Sequence, residues 1–72
     1  MWIQTQRGDE ILEVKHVKVL LLKDGTANIL AKLERETVLL GNYQEARLRD
    51  IIEDLKWEVT HCQHYVLEMP KI

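Results

Sequence analysis

Ten Lys plus Arg against twelve Asp plus Glu leave this 72-residue chain with a formal net charge of −2, so no overall basic field draws in a phosphate backbone and nucleic acid is disfavoured as a partner. A single cysteine, Cys62, excludes an internal disulfide, and a chain this short buries only about 60% of its unfolded surface, so self-association is an expected source of extra stability. The longest apolar run, Val19-Leu20-Leu21-Leu22, is far short of the ~20 residues that span a bilayer, and Met1-Trp2-Ile3 lacks the charged start and long apolar middle of a signal peptide. The expectation is one domain over residues 1–72, cytoplasmic and without membrane contact.

Met1 to Gln6 reads as a short strand, followed by the turn chemistry of Gly8-Asp9. Ile11 to Leu22, rich in Val and Leu and free of Gly and Pro, reads as one long strand or as two joined by a bend. Asp24-Gly25 fits a two-residue type I′ turn, which needs positive φ at both centres. Placing Lys23 opposite Thr26 pairs Leu22 with Ala27, Leu20 with Ile29, Lys18 with Ala31 and His16 with Leu33 on one side of a sheet. The alternate pairs, Leu21 with Asn28, Val19 with Leu30 and Val17 with Lys32, then point to the other side. The first side is the more apolar and leaves room at Ala27 and Ala31, so the helix is assigned there. A tighter turn at Arg35-Glu36 continues the meander into a strand over Thr37 to Tyr43, with Val38 and Leu40 on the helix side and Leu39 opposite.

Gly41-Asn42 is read as a break that leads into an amphipathic helix opening near Gln44. Leu48, Ile51, Ile52, Leu55 and Val59 fall at i, i+3, i+4, i+7 and i+11, one stripe at 3.6 residues per turn. Asn42 fits an N-cap, with Glu45 reaching back as in a capping box. Glu45, Arg47, Arg49, Asp50 and Glu53 stand at neighbour spacings on a solvated face. The stripe fades around Val59 or Thr60, after which a bend and a final strand from His64 to Met69 are expected; Cys62 and Val66 also fit a continued helical stripe. The fold class is therefore α+β, an antiparallel meander of four to five strands with one α-helix packed on one face.

The one cluster that resembles a site is His61-Cys62-x-His64, with His16 as a distant fourth residue. Imidazole and thiolate donors suit zinc or copper, but on a strand His61 opposes Cys62 and His64, and on a helix neighbours diverge by about 100°. The plainer reading is a small buried Cys62 with histidines at the domain edge. A Cys-His nucleophile lacks an identifiable orienting group, and Gly8, Gly25 and Gly41 are isolated rather than a phosphate loop. No enzyme activity, cofactor or resident metal is expected.

Contact with protein is the better-supported expectation. The sheet side away from the helix is expected to display Val17, Val19, Leu21, Leu30 and Leu39, a patch that a homodimer through this face or an edge strand would cover. Trp57 lies about 180° around the helix from Leu48, either as an outward interface anchor or folded back by a bend, while Trp2 suits the core rim. Lys15, Lys18, Lys23 and Lys32 are split between faces, which weakens a nucleic-acid reading of the sheet.

The opening Met1-Trp2-Ile3-x-x-Gln6, the strand end Leu39-Leu40-Gly41-x-Tyr43, the helix with Ile51-Ile52-x-x-Leu55 and the closing Tyr65-x-x-Glu68-Met69-Pro70 together form a recognisable order of motifs. In these the chain resembles a family of small uncharacterised proteins of Gram-positive bacteria, their phages and integrated elements. The resemblance implies a fold and a mobile-element context and carries over no functional residue. The functional expectation is a non-enzymatic interaction or regulatory protein that binds an unidentified host or phage protein as a homo-oligomer. The alternative is a small-molecule or nucleotide-sequestering protein with a pocket between subunits.

Overall fold

The computed structural model describes the backbone of residues 1–61 and 66–71, and the side chains of 1–57 and 66–71. In chain order the elements are β1 (Trp2–Gln4), β2 (Ile11–Glu13), β3 (Val17–Leu21), β4 (Thr26–Lys32), β5 (Thr37–Gln44), α1 (Glu45–His61) and β6 (Leu67–Glu68). The fold is α+β, with one helix among the described residues, packed on an antiparallel β3-β4-β5 meander. The described strands form two three-stranded sheets rather than one, the second in the order β2-β1-β6. In this second sheet β2 is antiparallel to β1 while β6 is parallel to it, pairing Ile3 with Leu67 and Gln4 with Glu68.

The Ile11 to Leu22 stretch resolves into two strands joined by a bend at 14–16, and the two belong to different sheets. Val14 at the bend is buried, and its amide donates to the Met1 carbonyl, so the chain turns away from β1 with its apolar side chain still inside. The helix stripe matches the pattern read from the sequence. Ile51 and Leu55 are buried and Leu48 and Ile52 pack against them, in one cluster with Ile29, Ala31, Leu40 and Tyr43 from the meander, Ile3 from β1, Val14 just after β2 and Met69 just after β6. The Val59 side chain lies outside the described residues.

The β3-β4 register departs from expectation by one residue. Val17 stands opposite Ala31, Val19 opposite Ile29 and Leu21 opposite Ala27. The loop is a three-residue Lys23-Asp24-Gly25 connection closed by Leu22 N–H donating to the Thr26 carbonyl, with Gly25 at a φ of 86°. The Asp24 carboxylate supplies the physical reason, since its Oδ1 accepts from both the Thr26 amide and the Thr26 hydroxyl, at 3.0 and 2.6 Å. That Asx geometry suits a turn followed by one left-handed residue, which glycine fills at no steric cost. Those hydrogen bonds also hold the Asp24 carboxyl below the usual carboxylate range.

One residue of register exchanges the two faces of β3. Val17, Val19 and Leu21 therefore share the side of the fully buried Ala31, Ile29 and Ala27, and do not belong to the uncovered face with Leu30 and Leu39. Val17 and Val19 are half-buried, and Val17 packs against the core cluster. The β4 and β5 faces follow expectation, with Val38 opposite Ala31 on the core side and Leu39 opposite Leu30 on the outer side. The second turn centres on Glu34-Arg35, one residue earlier than Arg35-Glu36, because Leu33 N–H donates to the Glu36 carbonyl.

Gly41-Asn42 is not a break. Strand β5 runs through it to Gln44, with a register shift that leaves Leu40 as an extra residue between the Leu30–Leu39 and Ile29–Gly41 pairs. The bulge keeps both Leu40 and Tyr43 buried, which strict alternation from Leu40 would not allow. Asn42 does not cap the helix, since its amide donates across the strands to Thr26 Oγ1 and Asn28 Oδ1.

Candidate functional site

The outer face of the meander is the surface that the described chain leaves uncovered. Paired positions place Lys18 and Leu20 from β3, Asn28, Leu30 and Lys32 from β4, and Thr37, Leu39 and Asn42 from β5 on this side. Leu30 stands directly opposite Leu39, and Leu20, opposite Asn28, is its diagonal neighbour on the other flank. Leu20 and Leu39 are 46% and 47% exposed, so the row Leu20-Leu30-Leu39 crosses all three strands with its two ends in water.

The rest of the face has two characters. Lys18 and Lys32 frame the leucines at one end, and among the described residues no ion pair engages either lysine. At the other end Asp24, Thr26, Asn42 and Asn28 form a chain of hydrogen bonds, from the Asp24 carboxylate through the Thr26 hydroxyl and the Asn42 amide to Asn28 Oδ1. Every side-chain bond of the Asn42 amide is thus made within the sheet. None of the face positions on the three strands is a carboxylate, although acids outnumber bases in the chain as a whole.

Of the residues singled out in the sequence, the structure brings Leu30 and Leu39 together on this face and sends Val17, Val19 and Leu21 to the core side, with Leu21 58% exposed near the end of β3. Trp57 is 49% exposed on α1. Leu20 is the residue of the outer row that sequence reasoning placed on the core side. A three-residue reading of the loop, suggested by Thr26 directly after Asp24-Gly25, carries the signal that would have found it.

His16 is exposed ahead of β3, with its carbonyl accepting from the Lys32 amide. Cys62 and His64, and the side chain of His61, lie outside the described residues. Among the described residues no group of three His, Cys, Asp or Glu side chains stands close enough to hold a metal ion. Among the described residues no helix is long and apolar enough to cross a membrane.

Two polar joints hold the outer face in place. Gln6 links the second sheet to the free edge of β5: its amide donates to the Leu40 carbonyl, its Oε1 accepts from the Asn42 amide, and its Nε2 donates to the carbonyls of Asn42 and Lys71. Tyr43 is the other, its hydroxyl donating to the Pro70 carbonyl and so tying the chain after β6 to the end of β5. Burial pushes the Tyr43 phenol up to about 12, against a smaller opposing effect of the Arg47 charge.

A raised phenol pKa means that stability linked to neutral Tyr43 is complete below its ordinary value of 10.0 and is lost as pH climbs through about 12. Alkaline titration followed by phenolate absorbance is expected to show one tyrosine delayed toward pH 12, with unfolding accompanying it, and Tyr43→Phe is expected to abolish that late phase. Two tyrosines ionising together near the ordinary value in the folded chain would contradict the burial.

No family model, curated protein or solved structure matches the chain.

Proposed function

We propose that this chain is a small non-enzymatic interaction protein, one that assembles as a homo-oligomer and binds a partner protein through the outer face of its meander. The observation that carries this reading is the row Leu20-Leu30-Leu39, half-exposed at both ends and lying on the flat side of a sheet whose opposite side is already filled by the core. Exposed apolar area on a rigid sheet contributes to association at roughly 25 cal/mol per Å² removed from water, and the pre-formed strands lose little further entropy on docking. The motif order described above suits a regulatory protein of a phage or integrated element, acting on a host or phage protein.

The test compares the wild-type chain with Leu20→Asn/Leu39→Asn, which removes the two exposed ends of the row and leaves every core side chain in place. Wild type is expected to sediment above the 8.5 kDa of one chain as concentration rises from about 1 μM to 1 mM, and the double variant to stay at one chain with its thermal unfolding little changed. A wild-type chain that stays at 8.5 kDa throughout, and that retains the same co-purifying proteins as the variant, would remove the basis for the reading.

A further inference from the structure

The two sheets have four outer edges, and the described chain treats them differently. β2 and β6 are only three and two residues long, and β5 is met at Leu40 and Asn42 by the backbone and side chain of Gln6. β3 is the remaining edge, five residues long, and among the described residues it pairs with β4 alone.

The two bonds that close this hairpin fix which backbone groups face outward. Lys32 N–H donates to the His16 carbonyl and Leu22 N–H to the Thr26 carbonyl, so the even-numbered residues of this strand turn their peptide groups toward β4. Alternation then turns the N–H and C=O of Val17, Val19 and Leu21 to the open edge. Their side chains lean toward the core side while their backbones offer a row of donors and acceptors at strand spacing. Such a row is a template for one more strand.

Charge decides what kind of strand fits. Residues 15–23 hold Lys15, Lys18 and Lys23 and no carboxylate, and all three lysines are exposed. A second copy of β3 laid antiparallel about Val19 would set Val17 opposite Leu21 but Lys15 opposite Lys23 at both ends, and directly opposed like charges destabilise a strand pair. A segment alternating carboxylates with β-branched residues meets no such repulsion: its carboxylates share the outer side with Lys18, and its ends meet Lys15 in the bend and Lys23 in the turn.

We propose that the open edge of β3 accepts an extended segment of another protein, antiparallel to Val17–Leu21, in which acidic and β-branched side chains alternate. The incoming peptide groups bond to Val17, Val19 and Leu21; its carboxylates share the outer side with Lys18, and those at its two ends lie beside Lys15 in the bend and Lys23 in the turn. This contact uses the strand's backbone and flanking lysines, shares Lys18 with the outer face and needs none of the three leucines.

The probe is a capped decapeptide alternating Val and Glu, titrated into the isotope-labelled full chain, with a Val/Lys decapeptide as control. Amide exchange at Val17, Val19 and Leu21 is expected to slow in the presence of the Val/Glu peptide and not the control. Reversal of the three lysines, Lys15→Glu/Lys18→Glu/Lys23→Glu, is expected to weaken Val/Glu binding about tenfold and to transfer preference to Val/Lys, in keeping with three exposed charge pairs of modest strength. Val19→Pro removes an outward N–H without removing a bond to β4, and is expected to abolish the protection. Should the proline chain fail to fold, the charge-reversal chain still decides the matter.

Binding retained by Leu20→Asn/Leu39→Asn supports the edge as a separate surface, whatever the fate of the outer face. The proposal is overturned if no peptide slows exchange at these amides, if the shifts fall on Leu30 and Leu39 instead, or if the same amides become protected with rising protein concentration alone, since the occupant would then be a second copy.

Discussion

Ile3→Ala is expected to cost about 2–5 kcal/mol, the range for truncating a fully buried aliphatic side chain whose surroundings collapse only in part. Ile3 is the central residue of β1, is wholly excluded from water, and sits between its partners Leu12 and Leu67 in the cluster that joins the second sheet to Ile29, Leu40 and Ile51. A chain of this size has roughly 4–11 kcal/mol in hand at the usual stability per residue, so the lower half of that range leaves little folded protein once Ile3 is truncated. Urea unfolding measures the loss directly. Ile11→Ala is the internal control, on the same sheet but 53% exposed, and should stay within about 0.5 kcal/mol of wild type. Equal losses at the two positions would mean that the second sheet is not anchored through Ile3.

Gly41→Ala is the second large effect, and it arises from space rather than from backbone freedom. A Cβ at this position would stand 2.6 Å from Tyr43 Cε2, 2.7 Å from its hydroxyl and 2.8 Å from Cζ. The ring cannot swing clear, because Tyr43 is only 3% exposed and its hydroxyl is engaged by the Pro70 carbonyl. Overpacking of this kind costs about 1–3 kcal/mol, and in a domain this small each kcal/mol lowers the melting temperature by roughly 4–8 °C. Tyr43→Leu, which withdraws the offending atoms, should make Gly41→Ala markedly less harmful, with a coupling of about 0.5–3 kcal/mol in the double-mutant cycle. Strict additivity would show that the ring does not lie over Gly41.

These residues also mark where the sequence was legible. The stripe of Leu48, Ile51, Ile52 and Leu55 is a local property of α1, and three and four residues of spacing state it without reference to anything else. The alternation of Ala27, Ile29 and Ala31 on β4 is legible for the same reason, and it placed the core side of the central strand correctly, although each flanking turn differs by one residue from the one read in the sequence. Leu30 and Leu39 were accordingly found on the outer face.

Position along β3 was harder to read, because a single residue of loop length exchanges its faces, and Asp24-Gly25 is compatible with both lengths. The Asp24 hydrogen bonds to Thr26 and the burial of Val17 against the core decide between them, and both exist only once the strands have met. Leu20 entered the outer row, and Val17, Val19 and Leu21 left it, on that choice alone.

By itself, then, the sequence determined one amphipathic helix, a central alternating strand and a hairpin at Asp24-Gly25, since each follows from periodicity or turn chemistry among near neighbours. Only the tertiary structure decided the hairpin register, the division into two sheets and the parallel pairing of β1 with β6 some sixty residues away. It also decided the approach of Tyr43 to Gly41 and the open edge of β3. These features depend on which distant groups compete for the same buried space and the same backbone bonds, and no local pattern of residues encodes the outcome of that competition.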